Sequence, residues 1–125
     1  MLLLWYEVFH MKVETQKLSE GDLTFYVTFI EIENAVFAFF TTTDSPKLGT
    51  LAVAIPQPKG GFSVSSVLLG ERNSILTKIL AERLSQSVNK ITIASTHLDE
   101  ISDNQSGRLL IQLTQQVGSA TVETS

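Results

Sequence analysis

The stretch Thr24-Phe25-Tyr26-Val27-Thr28-Phe29-Ile30-Glu31-Ile32-Glu33 alternates residue by residue. Phe25, Val27 and Phe29 fall on one side, followed by Glu31 and Glu33; Tyr26, Ile30 and Ile32 fall on the other, with Thr24 and Thr28. A period of two, built from aromatic and β-branched residues, predicts a strand. Asn34 interrupts it and Val36-Phe37-Ala38-Phe39-Phe40 follows, so the tight Glu33-Asn34-Ala35 junction predicts a hairpin. The second run is apolar on both faces and must be covered on both. One cover can be the domain's own core. The other has to be a helix, a second sheet or a partner chain.

Working outward, Val13 to Leu18 is a further candidate strand, separated from the first by the turn residues Ser19-Glu20-Gly21-Asp22. Downstream, Asp44-Ser45-Pro46-Lys47 is a turn, and Pro46 keeps the strand from continuing. Leu51 to Ile55 reads as a short strand, Pro56 to Gly61 as a loop, and Phe62 to Leu69 as another strand. The phase of this last strand slips near Ser65-Ser66, which predicts a β-bulge at the serines. A helix opens next, with Asn73 or Ser74 as N-cap. Its apolar positions Ile75, Leu76, Ile79, Leu80, Leu84 and Val88 recur at three- and four-residue steps and are expected to be core. Lys78, Glu82, Arg83 and Gln86 take the other side. Asn89-Lys90 ends the helix, and Ile91 to Thr96 alternates as a strand. Leu98 to Ser106 is polar and acidic, and Leu109, Leu110, Leu113 and Val117 predict a short second helix. The expected fold class is α+β: a mainly antiparallel sheet of about six strands with two flanking helices.

The chain has 125 residues, which fits one domain with a real core. Its composition, 43% apolar and 18% charged, is that of a globular protein. The net charge of −4 disfavours a duplex nucleic acid or an anionic membrane as partner. The absence of cysteine excludes disulfides, thiolate nucleophiles and cysteine zinc sites. A cytosolic or nuclear compartment fits such a chain. Met1 to Phe9 reads MLLLWYEVF, far short of a membrane span, and with Glu7 inside it and no basic leader it is a poor signal peptide. It reads either as an extra element packed on the core or as an extension upstream of Met11-Lys12. The chain is therefore divided into an N-terminal extension (1–11), a single domain (12–117) and a small polar tail (118–125).

Few residues of the chain are arranged for chemistry. Ser95, His97 and Asp99 contain the residue types of a hydrolase triad, but Ser95 lacks the sharp turn that presents a nucleophile. Asp99, Glu100 and Asp103 do not have the alternating ligand spacing of an EF-hand loop. Lys59-Gly60-Gly61 has no strand-loop-helix around it and is read as a flexible turn. Asn104-Gln105-Ser106 matches a glycosylation acceptor, without a secretory signal to give it meaning. No catalytic, metal or cofactor residue is assigned, and the chain is read as a non-enzyme. What survives is hydrophobic: both-faced apolar strands with two helices as cover imply a bare apolar face, and such faces mark interaction sites.

The run Leu48-Gly49-Thr50-Leu51-Ala52-Val53-Ala54-Ile55, then Phe62-Ser63-Val64-Ser65-Ser66-Val67-Leu68-Leu69-Gly70, then Leu80-Ala81-Glu82-Arg83-Leu84 and Asn89-Lys90, resembles the proteasome assembly chaperone 4 family, which is related to proteasome assembly chaperone 3. The resemblance runs from about Lys12 to Val117. Its most specific part is the strand-ending Leu68-Leu69-Gly70 followed by a capped helix. It implies a heterodimer with assembly chaperone 3 that binds alpha-type subunits of the 20S proteasome, chiefly subunit 5, and promotes ordered alpha-ring assembly without a cofactor. The family offers no catalytic residue to carry over. Phe37, Phe39, Val53 and Ile55 are the residues expected to face core or partner, and the Pro56–Gly61 loop is a candidate contact for the alpha subunit. The competing reading is a small dimerisation or scaffold domain of a trafficking or regulatory complex.

Overall fold

A computed structural model describes residues 11–57, 64–98 and 107–115. Six strands and two helices form the described part: β1 (Lys12–Glu20), β2 (Leu23–Glu31), β3 (Ala35–Thr41), β4 (Thr50–Ile55), β5 (Val64–Leu69), α1 (Ser74–Val88), β6 (Ile91–His97) and α2 (107–115). The class is α+β, as the alternation implied. The N-terminal run 1–10, Phe62, the 59–61 and 99–106 segments, Val117 and the tail lie outside the described residues.

The single sheet has the order β1-β2-β3-β6-β4-β5. β1 to β3 form an antiparallel meander, turned at Gly21-Asp22 and at the Ile32–Ala35 hairpin, where the Ile32 N–H donates to the Ala35 carbonyl at 3.0 Å. β4 and β5 form a second antiparallel hairpin. β6 enters last, through α1, and fills the gap between the two units. It runs parallel to β3 and antiparallel to β4. A helical crossover is what allows such a parallel pairing. All other described pairings are antiparallel.

The core lies between one sheet face and both helices. Phe25, Val27, Phe29, Val36, Ala38, Phe40, Ala52, Ala54 and Ala94 point to it and join Leu80, Ala81 and Leu84 of α1 and Leu109, Leu110 and Leu113 of α2 in one buried cluster. Side-chain size is partitioned. Backbone of α1 comes within 8 Å of β4, β5 and β6, where the inward residues are Ala52, Ala54 and Ala94. The phenylalanines fill the volume over β2 and β3. Large residues on one part of the sheet and small ones under the helix let the two layers pack closely.

Two expectations are corrected. The helix stripe was expected to be core along its length, but Ile75 is 75% exposed and Ile79 38%. The inner face of α1 is instead Thr77, Leu80, Ala81, Leu84 and Ser85. Its two hydroxyls are accommodated by hydrogen bonds: Thr77 Oγ1 lies 2.7 Å from the Asn73 carbonyl and 2.7 Å from Thr96 Oγ1, and Ser85 Oγ donates to the Glu82 carbonyl. Buried polar groups that are satisfied in this way are tolerated, and they rotate the true inner face away from the one that hydrophobicity alone selects. The bulge also moves. Ala52 pairs with Val67 and Leu51 with Leu69, so the irregularity falls at Leu68 and not at Ser65-Ser66. The serines stay in register because Ser65 Oγ donates to Glu82 Oε2 at 2.7 Å on the helix side.

Helix α1 begins after Asn73 and ends at Asn89, both in the left-handed conformation. Asn73 makes no side-chain cap hydrogen bond, while the Asn89 N–H closes the helix on the Ser85 carbonyl at 2.8 Å. Gly49 leads into β4 where a Cβ would overlap the Thr96 carbonyl oxygen, and its N–H donates to Ser95 Oγ at 2.9 Å. Only a glycine lets the chain press this closely onto β6.

Candidate interface on the bare sheet face

The face opposite the helices follows from register alone. Val13 opposes Ile30, Ile30 opposes Phe37, Phe37 opposes Ile93, Ile93 opposes Val53 and Val53 opposes Ser66. Directly paired residues share a face, so one row of five apolar side chains crosses from β1 to β4 and reaches Ser66 on β5. The neighbouring row is Thr15, Thr28, Phe39, Ser95, Leu51 and Leu69. Ile91 opposite Ala35, and Ile55 opposite Val64, extend the apolar area at the same end. The matching row on the core face is Glu14, Phe29, Ala38, Ala94, Ala52 and Val67, and its Phe29, Ala38, Ala94 and Ala52 join the helices in the buried cluster.

Burial separates the two faces. Core-face residues of β2, β3 and β4 are closed off, whereas Ile30, Phe37, Phe39, Leu51, Val53 and Ile93 are half-buried. Val13, Ile55 and Val64 are 57%, 50% and 59% exposed. The two described helices join the core cluster on the other side, and on this face Ser95 alone of the two rows is closed off, by the Gly49 backbone that donates to its hydroxyl.

All four residues singled out from sequence, Phe37, Phe39, Val53 and Ile55, stand on this one face. Sequence reasoning missed Val13, Ile30 and Ile93. Their alternation was visible, but which phase of each strand shares a face depends on pairing, and β6 lying between β3 and β4 is not written in any local pattern. Of the Pro56–Gly61 loop, only Pro56 and Gln57 are described.

The triad reading finds no support among the described residues. Ser95 is buried with its hydroxyl taken by the Gly49 N–H, His97 is exposed at the end of β6, and Asp99 lies outside the described residues. No group of three metal-ligating side chains occurs among the described residues. The cleft beside Thr50, Arg72, Thr96 and His97 has a volume of about 180 Å³, below the several hundred Å³ usual for a small-molecule site. No described helix is long and apolar enough to cross a membrane.

The chain matches no family model and no curated protein. In fold it is similar to a chain of a crystal structure described as a novel chaperone complex for yeast 20S proteasome assembly. The TM-score is 0.59 at 14% identity, over 92% of this chain and 94% of that one. The likeness spans nearly all of both chains and is a likeness of fold.

Proposed function

We propose that this chain is a proteasome assembly chaperone that works as half of a heterodimer, with its bare sheet face as the dimer surface. The observation that carries the reading is the row Val13–Ile30–Phe37–Ile93–Val53, five apolar residues on a face that no described helix covers. An apolar face of this kind in a small domain is a site for another chain. The fold of a yeast 20S assembly chaperone complex and the resemblance at Leu68-Leu69-Gly70 and Leu80–Leu84 point the same way.

On this reading the partner is assembly chaperone 3, and the pair binds alpha-type subunits of the 20S particle, chiefly subunit 5, in cytoplasm and nucleus. No bond is made or broken. The work is done by complementary surface, which suits a factor that must leave its client. Co-expression with assembly chaperone 3 tests the proposal: a 1:1 complex that also retains alpha subunits is expected. A chain that stays alone in the presence of both would contradict it.

A further inference from the structure

A second apolar surface lies on the outer side of α1, across the sheet from the bare face. Ile75 and Ile79 stand one helical turn apart and are 75% and 38% exposed, while the inner side of the helix is Thr77, Leu80, Ala81, Leu84 and Ser85. A single exposed apolar residue is ordinary. Two isoleucines stacked on one helix face are less so, because a β-branched residue there adds nothing to helix stability that leucine, lysine or glutamate would not supply better.

The charge around the pair is uneven. Lys78 lies three residues from Ile75 and Arg83 four from Ile79, the spacings at which helical side chains are neighbours. Over 71–88 and 107–115 the basic residues are Arg72, Lys78, Arg83 and Arg108, four of the chain's nine, against Glu71 and Glu82, two of its thirteen acids. The net charge of the whole chain is −4, so the helical layer has the opposite sign to the rest. The Glu82 carboxylate already accepts from Ser65 Oγ at 2.7 Å. None of the four basic side chains forms an ion pair among the described residues.

We infer that the outer face of α1 is a second docking surface, and that its occupant is an acidic amphipathic segment of another protein. Apolar side chains of that segment cover Ile75 and Ile79, and its carboxylates meet Lys78, Arg83 and Arg72 at the rim. Charges so placed select the partner and speed its approach, and an apolar stripe along a helix is a common seat for such a segment. The inference goes beyond the chaperone reading and does not require it. With Phe37 on the far side of the sheet, the chain can hold two proteins at once.

Photo-crosslinking in cells tests this. Benzoylphenylalanine replaces Ile75 in one full-length chain and Phe37 in another, and the crosslinked peptides are sequenced by mass spectrometry. Each chain is also made with Arg72→Glu/Lys78→Glu/Arg83→Glu, and circular dichroism checks folding. Arg83→Glu alone, at an exposed position, serves where the triple variant does not fold. The expected result is that adducts at position 75 map to a segment of another protein in which acids outnumber bases and which is absent from the adducts at position 37. Charge reversal should lower their yield at least about fivefold and leave the position-37 adducts unchanged. The inference is overturned if position 75 gives no adduct, or only adducts scattered over many proteins, on lipid, on a second copy of this chain or on a segment without excess acid. A yield that charge reversal does not change also overturns it. The position-37 adducts report on the bare face alone, so either reading can fail while the other stands.

Discussion

Phe37 on β3 and Val53 on β4 flank Ile93 of β6 from opposite sides, in the sheet face that carries no described helix. Neither residue is near the other in sequence, and they share a row because β6 closes the sheet between the β1–β3 meander and the β4–β5 hairpin. The apolar face is thus a product of the completed fold.

The two faces should respond oppositely to substitution. Phe40 is fully buried against the helices, so Phe40→Ala is expected to cost about 3–5 kcal/mol in urea unfolding. Phe37→Ser, on the half-buried face, should cost about 1–2 kcal/mol and act mainly on partner capture. Equal losses of stability in the two variants would contradict the assignment of faces.

Lys90 ties the start of β6 to the end of β2 across β3. Its Nζ lies 2.8 Å from Glu31 Oε2 and 3.2 Å from the Ile32 carbonyl, with side chains 27% and 14% exposed. Removing the lysine strands a carboxylate that is mostly out of water, so Lys90→Met is expected to cost about 1–3 kcal/mol. A double-mutant cycle with Glu31→Gln should then give less than the sum of the single losses. Strict additivity would show that the pair contributes nothing.

Gly49→Ala should be among the most damaging small substitutions. The added methyl group would overlap the Thr96 carbonyl oxygen, a backbone atom that cannot rotate away. The start of β4 must then lift from β6, losing the Gly49–Ser95 hydrogen bond. A loss of about 3 kcal/mol or more in thermal or urea unfolding is expected, and a variant as stable as the parent would contradict the close approach.

His97→Ala should change neither stability nor partner capture beyond about 0.5 kcal/mol. His97 is exposed at a strand end, its neighbour Ser95 is engaged elsewhere, and it stands outside the apolar row. Strongly reduced capture by this variant would move the interface toward the His97 end of the sheet.

Much of this architecture is legible in the chain itself. The β2 alternation and the Asn34 break specify the first hairpin, and the two-sided apolar run at Val36–Phe40 already requires a second cover. Two physical facts are not local and so escape a reading of patterns. Thr77 and Ser85 hydrogen-bond inside the helix–sheet layer, which turns Ile75 and Ile79 outward although both look like core. The partnership of Ile30, Phe37, Ile93 and Val53 is set by a strand order that only long-range pairing fixes. The four residues chosen from sequence fall together on the bare face because they share strand phase on β3 and β4; Ile93 joins them through β6.

The most direct measurement is affinity capture of the tagged full-length chain from cells, with its partners quantified by mass spectrometry, beside folded Phe37→Lys and Val53→Lys variants. The account predicts that the parent recovers assembly chaperone 3 together with 20S alpha-type subunits, and that both variants lose them at least about tenfold, a change of about 1.4 kcal/mol. Recovery of neither by the parent, or undiminished recovery by the variants, would contradict it.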